Sequence, residues 1–218
     1  MRLIVVDGLI GAGKSTLIKL LATRLNQNGY RAKAILEPVE LWKSTGALQH
    51  FYNNIQEHAY EFQTFVYVTR IKEMLLAIQN NPETDIFILE RSTFTDKYVF
   101  FEMLKKDMTP TRIKMYHEWC DLWDKLYPKS PDLFMYLDTS VETSHSRLTN
   151  RNRSEETNIS QDYLKDLESS HHHFYKEIIP NQMRSKSFII PRNLSEDDYT
   201  NIESKAFVDI YKLITNVL

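Results

Sequence analysis

Gly8-Leu9-Ile10-Gly11-Ala12-Gly13-Lys14-Ser15 is the stretch that decides the fold. It matches G-x-x-x-x-G-K-[ST], and its flanks fit that motif. The apolar run Leu3-Ile4-Val5-Val6 leads in, and Lys14 to Asn28 leads out with Leu17, Leu20, Leu21 and Leu25 at helical spacing before Gly29. Small residues let such a loop curl until its N–H groups face phosphate oxygens, and the helix start adds partial positive charge there. Gly8, Gly11, Ala12, Gly13, Lys14, Ser15 and Thr16 are therefore expected to hold a nucleoside triphosphate. Lys14 is expected to reach the β- and γ-phosphates, and the Ser15 hydroxyl to face Mg2+.

Outward from that loop, short apolar runs alternate with longer helical patterns. Strands are predicted at Leu3 to Asp7, Ala32 to Leu36, Ile86 to Leu89, Leu133 to Leu137 and Phe188 to Ile190. Helices are predicted at Lys14 to Asn28, Glu57 to Gln79, Val141 to Asn150 and Glu196 to Val217. The alternation implies an α/β fold of P-loop NTPase type: an open parallel sheet of about five strands, helices on both faces, and ligands beyond the carboxyl ends of the strands. No repeat or Pro/Gly/Ser-rich tract divides the chain, so residues 1–218 read as one domain.

Four segments carry the remaining chemistry. Glu37-Pro38-Val39-Glu40-Leu41-Trp42 follows the second strand; Pro38 biases Glu37 toward extended backbone at a strand end. A carboxylate there can take a proton from an attacking hydroxyl, and a surface acid in a salt bridge would read the same way. In Phe62 to Arg70, Gln63 and Arg70 are seven residues apart and share a helix face with Val66. They suit a base edge, or a solvated polar stripe. Glu90 and Arg91 close the third strand, where Glu90 could serve Mg2+ and Arg91 the transferring group; a strand-end ion pair is the rival. Arg147, Arg151 and Arg153 cluster around a helix end, as in a lid over triphosphate at about residues 147–160, or in a solvated basic face.

Together these segments resemble the deoxyribonucleoside kinase family, which includes deoxycytidine and deoxyguanosine kinases. The matching pieces are Gly8 to Thr16, Glu37 to Trp42, Phe62 to Arg70, Glu90 to Phe100 and Arg147 to Glu156, within residues 3 to about 175. The resemblance implies transfer of the γ-phosphoryl group of ATP, with Mg2+, to the 5′-hydroxyl of a deoxynucleoside, in nucleotide salvage. It implies Glu37 as general base, Gln63 on the base edge with Arg70 and Asp96 close by, and Tyr52 and Glu156 on the sugar 3′-hydroxyl. Trp42, Phe62 and Phe100 would wall the pocket, with Arg91 near the 5′ oxygen, Glu90 near Mg2+, and Arg147, Arg151 and Arg153 in the lid. It also implies a homodimer built through helices. Arg70 with Asp96 resembles members that take deoxycytidine or deoxypurines rather than thymidine. Val66 is bulkier than the small residue typical of deoxycytidine kinases, and Asn152 stands where relatives commonly have Gly.

Composition bounds the alternatives. Formal net charge is -2 and the pI about 6.4, so long nucleic acid is not the expected partner. Cys120 is the chain's one cysteine, which excludes an internal disulfide. The opening apolar run is too short for a signal or a span, so a cytoplasmic location, away from membranes, is the expectation, and the short N-terminus argues against a mitochondrial form. A thymidylate kinase-like monophosphate kinase is the nearest rival, and a catalytically silent structural relative the rival of another class. His171-His172-His173 reads as a solvated helix face, Glu196-Asp197-Asp198 as acids near a helix start, and Pro191 to Ser195 as a loop near the donor's adenine.

Overall fold

The computed structural model describes residues 1–127, 130–191 and 201–217. Five parallel strands form one sheet: β1 (Arg2–Gly8), β2 (Ala32–Ile35), β3 (Ile86–Glu90), β4 (Leu133–Leu137) and β5 (Lys186–Ile190), in the order β2-β3-β1-β4-β5. Val6 of β1 pairs with Glu90 on one side and Met135 on the other, so the ends of β1 and β3 lie side by side. The three central strands are apolar without alternation because helices cover both faces. All five residues of β3 and of β4 are buried. β2 and β5 at the edges are only partly covered.

The helices are α1 (Lys14–Gln27), α2 (Val39–Ser44), α3 (Ala47–Asn53) and α4 (Ile55–Asn80), then α5 over residues 93–104. α6 (Pro110–Leu126), α7 (Val141–Arg151), α8 over residues 161–182 and α9 (Lys205–Thr215) follow among the described residues. α1 buries Leu17, Ile18, Leu21 and Leu25 against the sheet, each side chain contributing about 1.5–3 kcal/mol by leaving water. α5 and α8 each contain a π-helical turn, at Asp96–Phe101 and Phe174–Ile178. Asp96 and Phe100 both lie in the first of these.

Two expectations need correction. The last helix starts at Lys205, and residues 201–204 form turn and bend rather than helix. Ser204 caps it by accepting from the Phe207 N–H, a stronger start signal than the acids upstream. Glu196-Asp197-Asp198 and most of the loop after Pro191 lie outside the described residues. His171 does not belong to a solvated face: it is fully buried, while His172 is half-buried and His173 exposed. Its ring stacks on Tyr136 and meets Phe100 edge-on, and its Nδ1 bonds the Leu167 carbonyl. Three successive helical positions point about 100° apart, so one of the three faces the core.

Candidate active site

A cavity of about 400 Å³ opens at the carboxyl ends of β1, β2 and β3. Lys14, Ser15, Glu37, Trp42, Tyr52, Phe62, Gln63, Val66, Arg70, Glu90, Arg91, Asp96, Phe100, Arg151, Arg153 and Glu156 all line it. Five sequence segments, distant along the chain, therefore converge on one space.

At one end sits the phosphate loop. Gly11 and Gly13 have φ of 85° and 99°, a backbone that side chains disfavour. A Cβ on Gly11 would stand 2.7 Å from the Ser144 carbonyl oxygen. The Lys14 ammonium donates to the Leu9 carbonyl at 2.9 Å and lies 4.0 Å from Glu90. Burial, and then the nearby Arg91 charge, bring Lys14 down to about 8. The Ser15 hydroxyl lies 2.9 Å from both carboxylate oxygens of Glu90. One hydroxyl and one carboxylate beside a phosphate cradle suit Mg2+, which takes its other ligands from phosphate and water. Gly8, Ala12, Gly13, Thr16 and Arg147 do not line the cavity. Gly8 carries the turn and its carbonyl accepts from Arg91, Ala12 is buried beneath the loop, and Thr16 is exposed.

The other end is a compact set of charges. Glu37 lies beyond the end of β2, two residues after Ile35. Its carboxylate accepts from Arg70 at 2.9 Å and from Arg91 at 2.8 Å. Burial by itself would raise Glu37, but the guanidinium groups of Arg91 and Arg70 outweigh it and hold the carboxyl at about 2. Arg70 also grips Asp96 through Nε at 2.7 Å and Nη2 at 3.1 Å, and donates to the Glu90 carbonyl. All four side chains are under a tenth exposed. Arg91 has φ of 63°, left-handed backbone held in place by its N–H to Val6 and its Nη2 to Gly8. Its guanidinium also lies over the Phe100 ring. Gln63 and Arg70 are thus buried, which removes the solvated stripe, and the surface-acid alternative for Glu37 falls because its side chain is only 9% exposed.

The aromatic wall comes from α2, α3 and α4. Trp42 meets Phe62 edge-on with centroids 5.9 Å apart, and Phe51 stacks on Phe62 at 4.5 Å. The Gln63 side-chain oxygen is buried without a hydrogen bond at the cavity edge, a polar group with capacity for a ligand.

The three arginines separate. Arg147 donates to the Ala12 carbonyl at 3.1 Å. Arg151 and Arg153 converge on Glu156, the former in a very close contact and the latter at 3.2 Å. An internal carboxylate therefore sits between two of them. Asn152 between them has φ of 49°, the left-handed backbone that Asn tolerates best after Gly.

Ile10, Lys19, Leu36, Val39, Glu40 and Leu48 also line the cavity and escaped the sequence reading. Lys19 could have been found, because it lies four residues beyond Ser15 on one face of α1. Asp7 also escaped it. This buried carboxylate accepts from Thr95 and Tyr175, both at 2.8 Å, and burial raises it to about 6.

A family model described as "Deoxynucleoside kinase" matches residues 4–217. "Probable deoxycytidine kinase FPV151" of fowlpox virus (strain NVSL) is 32% identical over 216 residues, covering 97% of this chain and 88% of that protein. "Deoxyadenosine kinase" of Dictyostelium discoideum is 28% identical over 212 residues, 94% of this chain and 81% of that protein. "Deoxycytidine kinase" of Homo sapiens is 28% identical over 196 residues, 78% and 74% of the two chains.

Proposed function

The chain belongs to the deoxynucleoside kinase family, and from that premise we propose that it phosphorylates the 5′-hydroxyl of deoxycytidine or a deoxypurine in preference to thymidine. The observation that carries this is the Arg70–Asp96 pair on the cavity wall. Asp96 takes both its Arg70 bonds on one side, and each carboxylate oxygen has a lone pair to spare. Those can accept from an exocyclic amino group, which cytosine and adenine carry and thymine lacks. The Gln63 amide lies on the same wall and can complete the base edge. Trp42, Phe62 and Phe100 flank the space for a flat ring, Val66 narrows it, and Tyr52 and Glu156 suit the sugar 3′-hydroxyl.

ATP would lie with its phosphates along the loop from Gly8 to Thr16, with Lys14 at the β- and γ-phosphates. Arg147, Arg151 and Arg153 would act as a lid over them, Arg151 and Arg153 leaving Glu156 in part to do so. Ser15 and Glu90 would hold Mg2+, which when bound neutralises charge on the β- and γ-oxygens. Glu37 orients the attacking hydroxyl by accepting its hydrogen bond. A carboxylate held near 2 is a weak base. Proton removal therefore comes late, as a loose phosphoryl-transfer transition state permits. Arg91, bridging Glu37 and the loop carbonyl of Gly8, stabilises charge as the group moves.

A monophosphate acceptor is disfavoured by the same geometry. Its phosphate would meet Glu37, and the two guanidinium groups there are already compensated by carboxylates. Among the described residues no helix is long and apolar enough to cross a membrane. Met115, Trp119, Leu122 and Leu126 form an exposed apolar stripe on α6 beside Val68, Leu75 and Leu76 of α4. A second copy of the chain seated on that face would make the homodimer.

The test is a phosphoryl-transfer assay with ATP and Mg2+ on the four deoxynucleosides and their monophosphates in parallel. Turnover of deoxycytidine or a deoxypurine with thymidine poor is the expected result. Turnover of monophosphates alone would replace this reading with that of a monophosphate kinase.

A further inference from the structure

Thr69 lies on α4 behind the aromatic wall. It is buried and does not line the cavity. Its hydroxyl donates to the Phe65 carbonyl at 2.7 Å, with the Val66 carbonyl at 3.1 Å. With its one proton committed to the helix, that hydroxyl can only accept from elsewhere. What it accepts is the Trp42 indole N–H at 2.9 Å. The indole has one donor and is itself buried, so this bond fixes which way the ring lies.

α2 gives that bond its leverage. The helix has six residues, no side-chain cap on its first turn, and Trp42 as its buried residue. An α-helix so short has little stability of its own and takes its position from what it packs against. Thr69 and the Phe62 ring are what the buried indole meets on α4.

We propose that Thr69 is a positioning residue for acceptor binding: by accepting from Trp42 Nε1 it holds the indole against α4 and keeps the base slot open. The inference rests on reading the cavity as the deoxynucleoside site. Without the hydroxyl, the buried N–H has no partner and the ring turns to find one, into the slot. The effect falls on binding rather than on chemistry. Glu37, though close in sequence to α2, is gripped independently by Arg70 and Arg91.

The experiment compares Thr69→Val, which keeps the shape and removes the hydroxyl, with Thr69→Ser, which keeps the hydroxyl. Each is assayed with the deoxynucleoside the unaltered chain turns over best. For Thr69→Val the nucleoside KM should rise about tenfold, the size expected for one stranded buried donor. kcat should stay within about twofold, KM for ATP should be unchanged, and the ligand-free near-UV tryptophan spectrum should change. Thr69→Ser should restore all of these. In a Trp42→Phe background, Thr69→Val should add nothing to KM. A Thr69→Val protein with unaltered nucleoside KM, or one whose KM for ATP and kcat move equally, would overturn the proposal, as would a full tenfold effect in the Trp42→Phe background. If the unaltered chain turns over no deoxynucleoside, the reading of the cavity fails. The tether is then judged on the spectrum alone, and an unchanged spectrum in Thr69→Val sinks it.

Discussion

The two ends of the cavity handle charge in opposite ways. At the acceptor end, Glu37, Arg70, Arg91 and Asp96 are buried and answer one another within a few bonds. At the donor end the cationic groups rest on stand-ins from the chain itself: Lys14 on the Leu9 carbonyl, Arg147 on the Ala12 carbonyl, Arg151 and Arg153 on Glu156. On the proposed reading, the acceptor end is set before any ligand arrives, and the donor end exchanges its stand-ins for phosphate. The difference teaches which substitutions should harm folding and which should harm only binding.

The largest expected effect is at the acceptor end. Glu37→Gln should lower turnover by about 10²–10⁴-fold while leaving ATP binding nearly intact, as single-turnover kinetics and calorimetry would show. A variant with near-normal turnover would remove Glu37 from the mechanism. Because the two arginines hold its carboxyl near 2, protonation of Glu37 should not limit the rate of the unaltered chain anywhere above about pH 4.

Arg70→Met comes next. It leaves Asp96 buried with its partner gone and Glu37 with one guanidinium instead of two, which should destabilise the fold by about 3–5 kcal/mol in urea unfolding. A loss under about 1 kcal/mol would mean that the acceptor end is not a closed set of charges.

Lys14 sharpens the contrast through pH. Burial brings its ammonium to about 8, and a bound triphosphate favours the charged form. ATP affinity should therefore be level below about pH 8 and fall above it by up to about tenfold per pH unit, with proton uptake on binding. Calorimetry in two buffers of different ionisation enthalpy reads that uptake, and a flat affinity up to pH 9 would contradict it. The smallest effect on stability should come from Arg151→Ala. Its side chain is about a third exposed, so the fold should lose under about 1 kcal/mol while KM for ATP rises. A loss as large as that of Arg70→Met would erase the distinction between the two ends.

Much of this contrast was legible in the chain before its fold. Gly8 to Ser15 carries its own geometry, because a turn that must bring backbone N–H groups to phosphate needs small residues at set spacing. The parallel sheet was readable because strands covered on both faces become short unbroken apolar runs, as in Ile86 to Leu89. The segments around Glu37, Gln63 and Glu90 could be named as candidates, each with a bland alternative beside it. Helices α2, α3, α5 and α6, the span of α8 and the two π turns went unpredicted. α6 intersperses charged residues among its apolar ones and packs on α4, and a π turn has no period of its own in sequence.

The sequence by itself determined the phosphate loop, the sheet class and the family, because each depends on local spacing or on a run of residues in order. Only the tertiary structure decided that Glu37 is held by Arg70 and Arg91, that Arg151 and Arg153 share Glu156, that His171 belongs to the core and that Thr69 accepts from the Trp42 indole. Those pairings join residues up to 54 positions apart (Arg91 to Glu37). A charge or hydroxyl acquires its partner, its burial and hence its pKa only when the strands bring such distant positions to one edge of the sheet.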